Sequence, residues 1–150
     1  MRIPMLCVAA VLALSASAPV PAWSHHSFAM YDQTKPRVLT GRVTRYIPGS
    51  NHAQLLFVLL DNNGMPIMKD GKPEQWGVEG GSAAAMARQG VTRETFPEGT
   101  IFTVRLSPLR DGRHFGALSG MLITCGTTMP KGGCNKDTGK TLVGEGFNAQ

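Results

Sequence analysis

Short apolar runs separated by turn residues dominate the chain after residue 36. Apolar and polar residues alternate from Val38 to Ile47, and a strongly apolar stretch follows from Ala53 to Leu60. Alternation with a period of two is typical of a half-buried strand, and a short apolar run is typical of a fully buried one. By the same reasoning, further strands are predicted over 74–79, 100–107, 115–124 and 141–143.

Turn and helix signals separate these runs. The clusters Pro48-Gly49-Ser50-Asn51 and Asp61-Asn62-Asn63-Gly64 predict turns, and Gly41 predicts a bend or bulge inside the first strand. Residues 82–89 favour a helix by propensity, with Ser82 as the N-cap and Gly90 at the end.

The order of these elements is three strands, one short helix and two further strands. This is the order of the OB-fold, a small Greek-key barrel. We therefore expect an all-β fold, an OB-fold-like β-barrel of five main strands with one short helix between strands three and four. An SH3-like barrel and an open sandwich are the alternatives.

The first 24 residues have the layout of a secretory signal peptide. Arg2 precedes an apolar run over 5–14, which is too short for a membrane span, and small residues and prolines follow. A cut after Ala18 would place Pro19 next, so we predict the cut after Ser24. The mature protein would then be a single domain over 25–150, periplasmic or secreted, with no membrane span.

The cysteines predict a disulfide, and the distribution of charge bears on the class of partner. Cys7 would leave with the signal peptide, and in an oxidising compartment the remaining pair, Cys125 and Cys134, predicts a disulfide closing a C-terminal loop. The formal charge is +5, but the basic residues are scattered, whereas nucleic-acid binding favours a clustered stripe. We therefore expect no nucleic-acid partner.

A cut after Ser24 would make His25 the first residue, with an α-amine and an imidazole that can chelate a metal together. Nitrogen ligands in tetragonal geometry suit Cu(II), which heads the divalent affinity order. Our hypothesis is a copper site formed by the α-amine and ring of His25 with the ring of His52. A second mode uses the α-amine, a backbone nitrogen and His26, and zinc on two or three histidines is a third alternative. Glu79 is a candidate to orient a ligand or to act as a fourth ligand, because it should face away from Trp76 on the same strand.

Several landmarks resemble a family of uncharacterised secreted bacterial proteins, the domain of unknown function 6152. They are His25-His26-Ser27-Phe28, Gly41-Arg42-Val43, Asn51-His52, Trp76-Gly77-Val78-Glu79, Arg88-Gln89-Gly90, Thr92-Arg93, Pro97-Glu98-Gly99 and Asp111-Gly112. The family usually has Asn-Pro-His where this chain has Ser50-Asn51-His52, and its ending is shorter. The resemblance implies an exported β-barrel and no particular activity.

Other functions stay open. The rival hypothesis is a non-metal binding module for a peptide, a glycan or a small ligand, on a groove lined by Tyr46, Phe57 or Phe115. A copper-dependent oxidative enzyme is less favoured, and catalysis is uncertain because the chain contains no nucleophile elbow, phosphate loop or zincin helix. His114 is expected on a strand surface.

Overall fold

A computed structural model describes residues 28–144 and 146 of the chain. It contains a 3-10 helix, Phe28–Met30, and one α-helix, α1, Ala83–Arg88. The strands are β1 Arg37–Ile47, β2 Gln54–Leu59, β3 Met68–Lys69, β4 Lys72–Pro73, β5 Gln75–Glu79, β6 Ile101–Pro108, β7 Phe115–Thr124 and β8 Lys140–Val143. Each predicted strand and the predicted helix occur within one residue of the expected bounds.

The five long strands close into a barrel. Their hydrogen-bonded order is β5-β2-β1-β6-β7, and β5 also pairs with β7. The β5–β7 pairing is parallel, whereas the other pairings in the barrel are antiparallel. This closure confirms the expected all-β, OB-like barrel. Strand β8 pairs with the last residues of β7, beyond the part of β7 that contacts β5.

Strand alternation builds the core, because every second side chain of a half-buried strand points inward. Leu55, Phe57 and Leu59 of β2 are buried, and Phe57 meets Phe102 of β6 edge to face with ring centroids 5.0 Å apart. Phe96, from the segment after α1, packs on Phe102 in the same way at 5.9 Å. These aromatic rings occupy the centre of the barrel.

The bulge in β1 lies two residues later than predicted. Gly41 pairs regularly with Leu59 and Phe102, and the register shifts between Val43 and Arg45. Gly41 is instead required by packing, since a Cβ there would overlap the ring of Phe57. The prediction of a bend or bulge at Gly41 was therefore wrong, and close approach of an aromatic ring is the physical reason for the glycine.

Local signals for the helix are confirmed. The Ser82 hydroxyl accepts a hydrogen bond from the backbone N–H of Ala85 at 3.2 Å, as an N-cap does. Gly90 ends the helix with a φ of 83°, a left-handed conformation that glycine adopts without strain.

The cysteine prediction is also confirmed, since Cys125 and Cys134 form a disulfide. Cys134 packs with Ile101 and Ile123 in a small apolar cluster outside the main core. Its carbonyl accepts a hydrogen bond from the buried hydroxyl of Thr103 at 2.6 Å. The disulfide thereby holds the C-terminal loop against β6 and β7. In the described part of the chain, no helix has the length and apolarity needed to cross a bilayer.

Replacing Gly41 by Ala should destabilise the barrel. The new methyl group meets the fully buried Phe57 ring, and overpacking of this kind costs about 1–3 kcal/mol. Gly144→Ala is the matched control, because a Cβ at Gly144 has no neighbour within 4 Å. Urea unfolding should show a lower midpoint for Gly41→Ala alone, and equal midpoints for the two variants would contradict this reading.

Candidate functional site

His52 lies just before β2, where its ring is fixed to the end of β5. Its Nδ1 is 2.9 Å from the carbonyl oxygen of Gly80. A carbonyl oxygen can only accept, so Nδ1 carries the proton and donates it. In the neutral ring, Nε2 therefore carries the lone pair that could bind a metal.

The backbone around His52 strengthens this fixation. The N–H of Ala53 donates to the Gly81 carbonyl at 2.8 Å, and the N–H of Gly80 donates to the Ala53 carbonyl at 2.9 Å. Gly80 also packs closely on Met86 of α1, since a Cβ there would overlap the thioether sulfur. The half-buried imidazole of His52 consequently lies at the junction of β2, β5 and α1.

Glu79 is the last residue of β5 and neighbours Gly80. It lies on the opposite face of the strand from Trp76, as strand parity predicted. One of its carboxylate oxygens accepts a hydrogen bond from the Tyr31 hydroxyl at 2.7 Å. Glu79 thus ties the N-terminal arm, residues 28–36, to the end of β5.

Further contacts fix the same arm along the connection that follows β6. Tyr31 forms a β-bridge with Leu109, and the N–H of Asp32 donates to the Pro108 carbonyl at 2.7 Å. Arg110 donates from its backbone N–H to the Met30 carbonyl at 2.9 Å, and from its side chain to the Ala29 carbonyl at 3.0 Å. The arm is therefore an ordered part of the molecule from residue 29 onward.

Tyr31 is buried, with 5% of its surface exposed, and packs in a cluster with Leu109, Phe115 and Ala117. Burial raises the pKa of its phenol strongly, and the hydrogen bond to Glu79 and the charge of that carboxylate raise the pKa further. The phenol therefore remains a hydrogen-bond donor through the neutral range. One continuous series of contacts joins the arm through Glu79 and Gly80 to His52.

The structure describes His52 and Glu79 among the predicted site residues. His25, His26 and the predicted cut after Ser24 lie outside the described residues. Within residues 28–144 and 146, no three His, Cys, Asp or Glu side chains come together as a metal-binding group. His52 and Glu79 are linked through Gly80, which follows Glu79 and accepts the hydrogen bond from His52. His114 belongs to a different cluster.

A second polar cluster, formed by Arg37, Glu74, Trp76 and His114, was missed by the sequence analysis. The His114 ring stacks on the buried Trp76 ring with centroids 4.8 Å apart, and the Arg37 guanidinium carbon is 4.8 Å from the Trp76 centroid. Glu74 accepts a hydrogen bond from the indole N–H at 2.9 Å and lies 3.4 Å from His114 Nδ1. His114 is therefore a half-buried stacking partner and not a strand-surface residue.

The aromatic groove expected for a non-metal binding module does not form as a unit. Phe57 is fully buried in the barrel and cannot line a groove. Tyr46 and Phe115 are half-buried and line separate depressions, Tyr46 beside Arg93 and Phe115 beside Met30. Strand alternation explains the error, because Phe57 shares the inward parity of Leu55 and Leu59.

Fold and site together define a small OB-like barrel with an ordered N-terminal arm tied to the end of β5. The model of the family of unknown function DUF6152 matches residues 12–118, so the chain belongs to that family. No curated protein and no solved structure gave a match to the chain.

Loss of the Tyr31 hydroxyl should change the response of stability to alkaline pH. A tyrosine in the unfolded chain has a pKa of about 10, whereas the pKa of Tyr31 in the folded protein is raised. Above about pH 10 the unfolded chain therefore releases a proton that the folded chain keeps. Stability is therefore full below about pH 10 and falls above it, and Tyr31→Phe should reduce that fall.

The measurement is urea unfolding at about pH 8 and about pH 11. At the lower pH, Tyr31→Phe should cost about 1 kcal/mol, because it removes a partly buried hydrogen bond. Tyr46→Phe is the control at about pH 8 only, since the Tyr46 hydroxyl makes only a 3.5 Å contact with the Val91 carbonyl. An alkaline loss in Tyr31→Phe as large as that of the unmodified protein would refute the assignment.

Proposed function

We propose that the exported protein binds Cu(II) through the α-amine and imidazole of His25 and through the imidazole of His52. It would act as a periplasmic or secreted copper carrier, sensor or chaperone. The observation that carries the proposal is the hydrogen bond from His52 Nδ1 to the Gly80 carbonyl. Metal-binding histidines commonly donate their second ring N–H to such an acceptor, which orients the ring and raises the basicity of the other nitrogen.

Copper is the metal that this donor set suits. An α-amine has a pKa of about 8, so Cu(II) displaces its proton readily at neutral pH. An amine and two imidazoles provide three nitrogens, and nitrogen ligands in tetragonal geometry favour Cu(II) over the other divalent metals. His26 offers a second mode, in which the amine, a backbone nitrogen and its ring bind copper without His52.

The ordered arm supports the pairing of His25 with His52. Tyr31 is held to Glu79, and the next residue, Gly80, accepts the hydrogen bond from His52. His25 precedes Tyr31 by six residues, three of which form the 3-10 helix. Three fully extended residues and three in a 3-10 helix span about 16 Å, which is the largest distance from Tyr31 that His25 can reach.

Glu79 would serve this site as a positioning residue. Its carboxylate is engaged by the Tyr31 hydroxyl at 2.7 Å. By fixing the arm, it would reduce the conformational entropy lost when His25 and His52 meet on one metal ion.

The compartment fits the proposal. The Cys125–Cys134 disulfide is typical of an oxidising environment, and residues 1–24 have the layout of an export signal. A carrier role is favoured over an oxidative enzyme because Phe57, Phe96, Phe102 and Trp76 are buried. These aromatics are therefore unable to form a platform for a large substrate.

The test is a copper titration of correctly processed protein, followed by electron paramagnetic resonance. The unmodified protein should bind one Cu(II) with nitrogen ligands and an affinity tighter than micromolar. His52→Ala should weaken binding at least about tenfold, equivalent to about 1.4 kcal/mol, because one imidazole is lost. Acetylation of the His25 α-amine should have a similar effect, because it removes the amine as a nitrogen ligand.

His114→Ala is the matched control, since it removes a histidine that stacks on Trp76 and has no place in the proposed site. Its copper affinity should equal that of the unmodified protein once circular dichroism has shown that it folds. Micromolar or weaker binding, unchanged in His52→Ala, would exclude the shared site of His25 and His52.

A further inference from the structure

An open pocket of about 330 Å³ lies between the end of β1 and the segment that follows α1. Its lining contains no histidine and no residue of the arm. Its lining residues are Thr44, Arg45, Tyr46, Ile47, Arg93, Phe96, Pro97 and Glu98. The volume is at the lower end of the range of small-molecule sites, about 300–1,000 Å³, and suits a ligand the size of a monosaccharide.

Two arginines give this pocket its charge. The side chains of Arg45 and Arg93 are exposed, and among the described residues neither guanidinium has a carboxylate within 4.0 Å. Arg113 differs, because its guanidinium is paired with Asp111 at 2.8 Å. A guanidinium presents a planar set of donors that matches a carboxylate in a bidentate manner. The pair therefore provides donors for an oxyanion.

Tyr46 and Glu98 add an aromatic ring and a carboxylate to the lining, and neither group is required to bind a simple anion. The Tyr46 ring is half-buried in the lining, with its hydroxyl 3.5 Å from the Val91 carbonyl. Burial raises the pKa of the Tyr46 phenol, the charge of Arg93 lowers it and the charge of Glu94 raises it, so both charged side chains lie near the ring. Glu98 contributes a carboxylate that accepts hydrogen bonds from hydroxyl groups.

We propose that this pocket binds a hydroxylated carboxylate of monosaccharide size, of the sugar-acid class. Arg45 and Arg93 bind the carboxylate, Glu98 accepts from ligand hydroxyls, and the Tyr46 ring packs against the carbon face of the sugar. A plain anion would meet the repulsion of Glu98, and a neutral sugar would bring no carboxylate to pair with the two guanidiniums. The mixed lining thus favours a ligand that carries both a carboxylate and hydroxyl groups.

The experiment is a titration of the full exported protein with glucuronate, followed by amide chemical shifts, in the presence of a chelator that removes copper. Glucuronate should bind saturably and shift the amide signals of residues 44–47, 93–96 and 98. Arg45→Gln and Arg93→Gln should each weaken binding at least about tenfold, as expected when one charge-assisted pair is lost. Arg105→Gln, a β6 arginine outside the pocket, is the control with the same change in net charge and should bind as the unmodified protein does.

Glucose tests the hydroxyl groups of the ligand without a charge, and inorganic phosphate tests a negative charge without the sugar. Glucose should bind at least about tenfold more weakly than glucuronate, and so should phosphate. Equal binding of phosphate, an equal loss in Arg105→Gln, or no saturable shift with glucuronate would overturn the proposal. Because copper is absent, none of these outcomes depends on the proposed metal site.

Glu98→Gln tests the hydroxyl contacts separately. Removal of the negative charge should tighten the binding of acetate, which has no hydroxyl, and weaken the binding of glucuronate. If Glu98→Gln left the affinity for both ligands unchanged, Glu98 would have no part in the pocket and the sugar-acid assignment would be wrong.

Discussion

The parallel pairing of β5 with β7 is the constraint on which the rest of the structure depends. It closes the barrel by setting Gly77 opposite Phe115 and Glu79 opposite Ala117. Gly77 is needed there because a Cβ would overlap the Phe115 ring. Phe115 and Ala117 in turn form the apolar surface on which Tyr31 packs. Barrel closure therefore determines where the N-terminal arm can lie.

The two candidate sites lie at different strand ends of the closed barrel. At the end of β5, the arm, Glu79 and His52 are joined by hydrogen bonds that run through one stretch of backbone. At the end of β1, the bulge between Val43 and Arg45 interrupts the ladder next to the pocket lined by Arg45 and Arg93. Because the two sites share no lining residue, metal binding and organic ligand binding can be tested independently.

Local patterns were sufficient for the elements of this fold but not for its polar contacts. Alternation, turn residues and helix caps predicted each main strand, and the cysteine count predicted the disulfide. The Tyr31–Glu79 bond joins residues 48 positions apart, and no local pattern marks it. The stacking of His114 on Trp76 likewise follows from closure, which sets the start of β7 beside β5. His52 was proposed as a ligand from its place before β2, and assigning its tautomer required the Gly80 carbonyl.

The central claim is that one copper ion joins the mature N-terminus to His52. A crystal structure of the exported, Cu(II)-loaded protein tests it most directly. The account predicts a chain that begins at His25, with its amine nitrogen, its ring nitrogen and His52 Nε2 each about 2 Å from copper. A chain that retains Ser24, or a structure in which His25 and His52 lie more than about 10 Å apart, would contradict it.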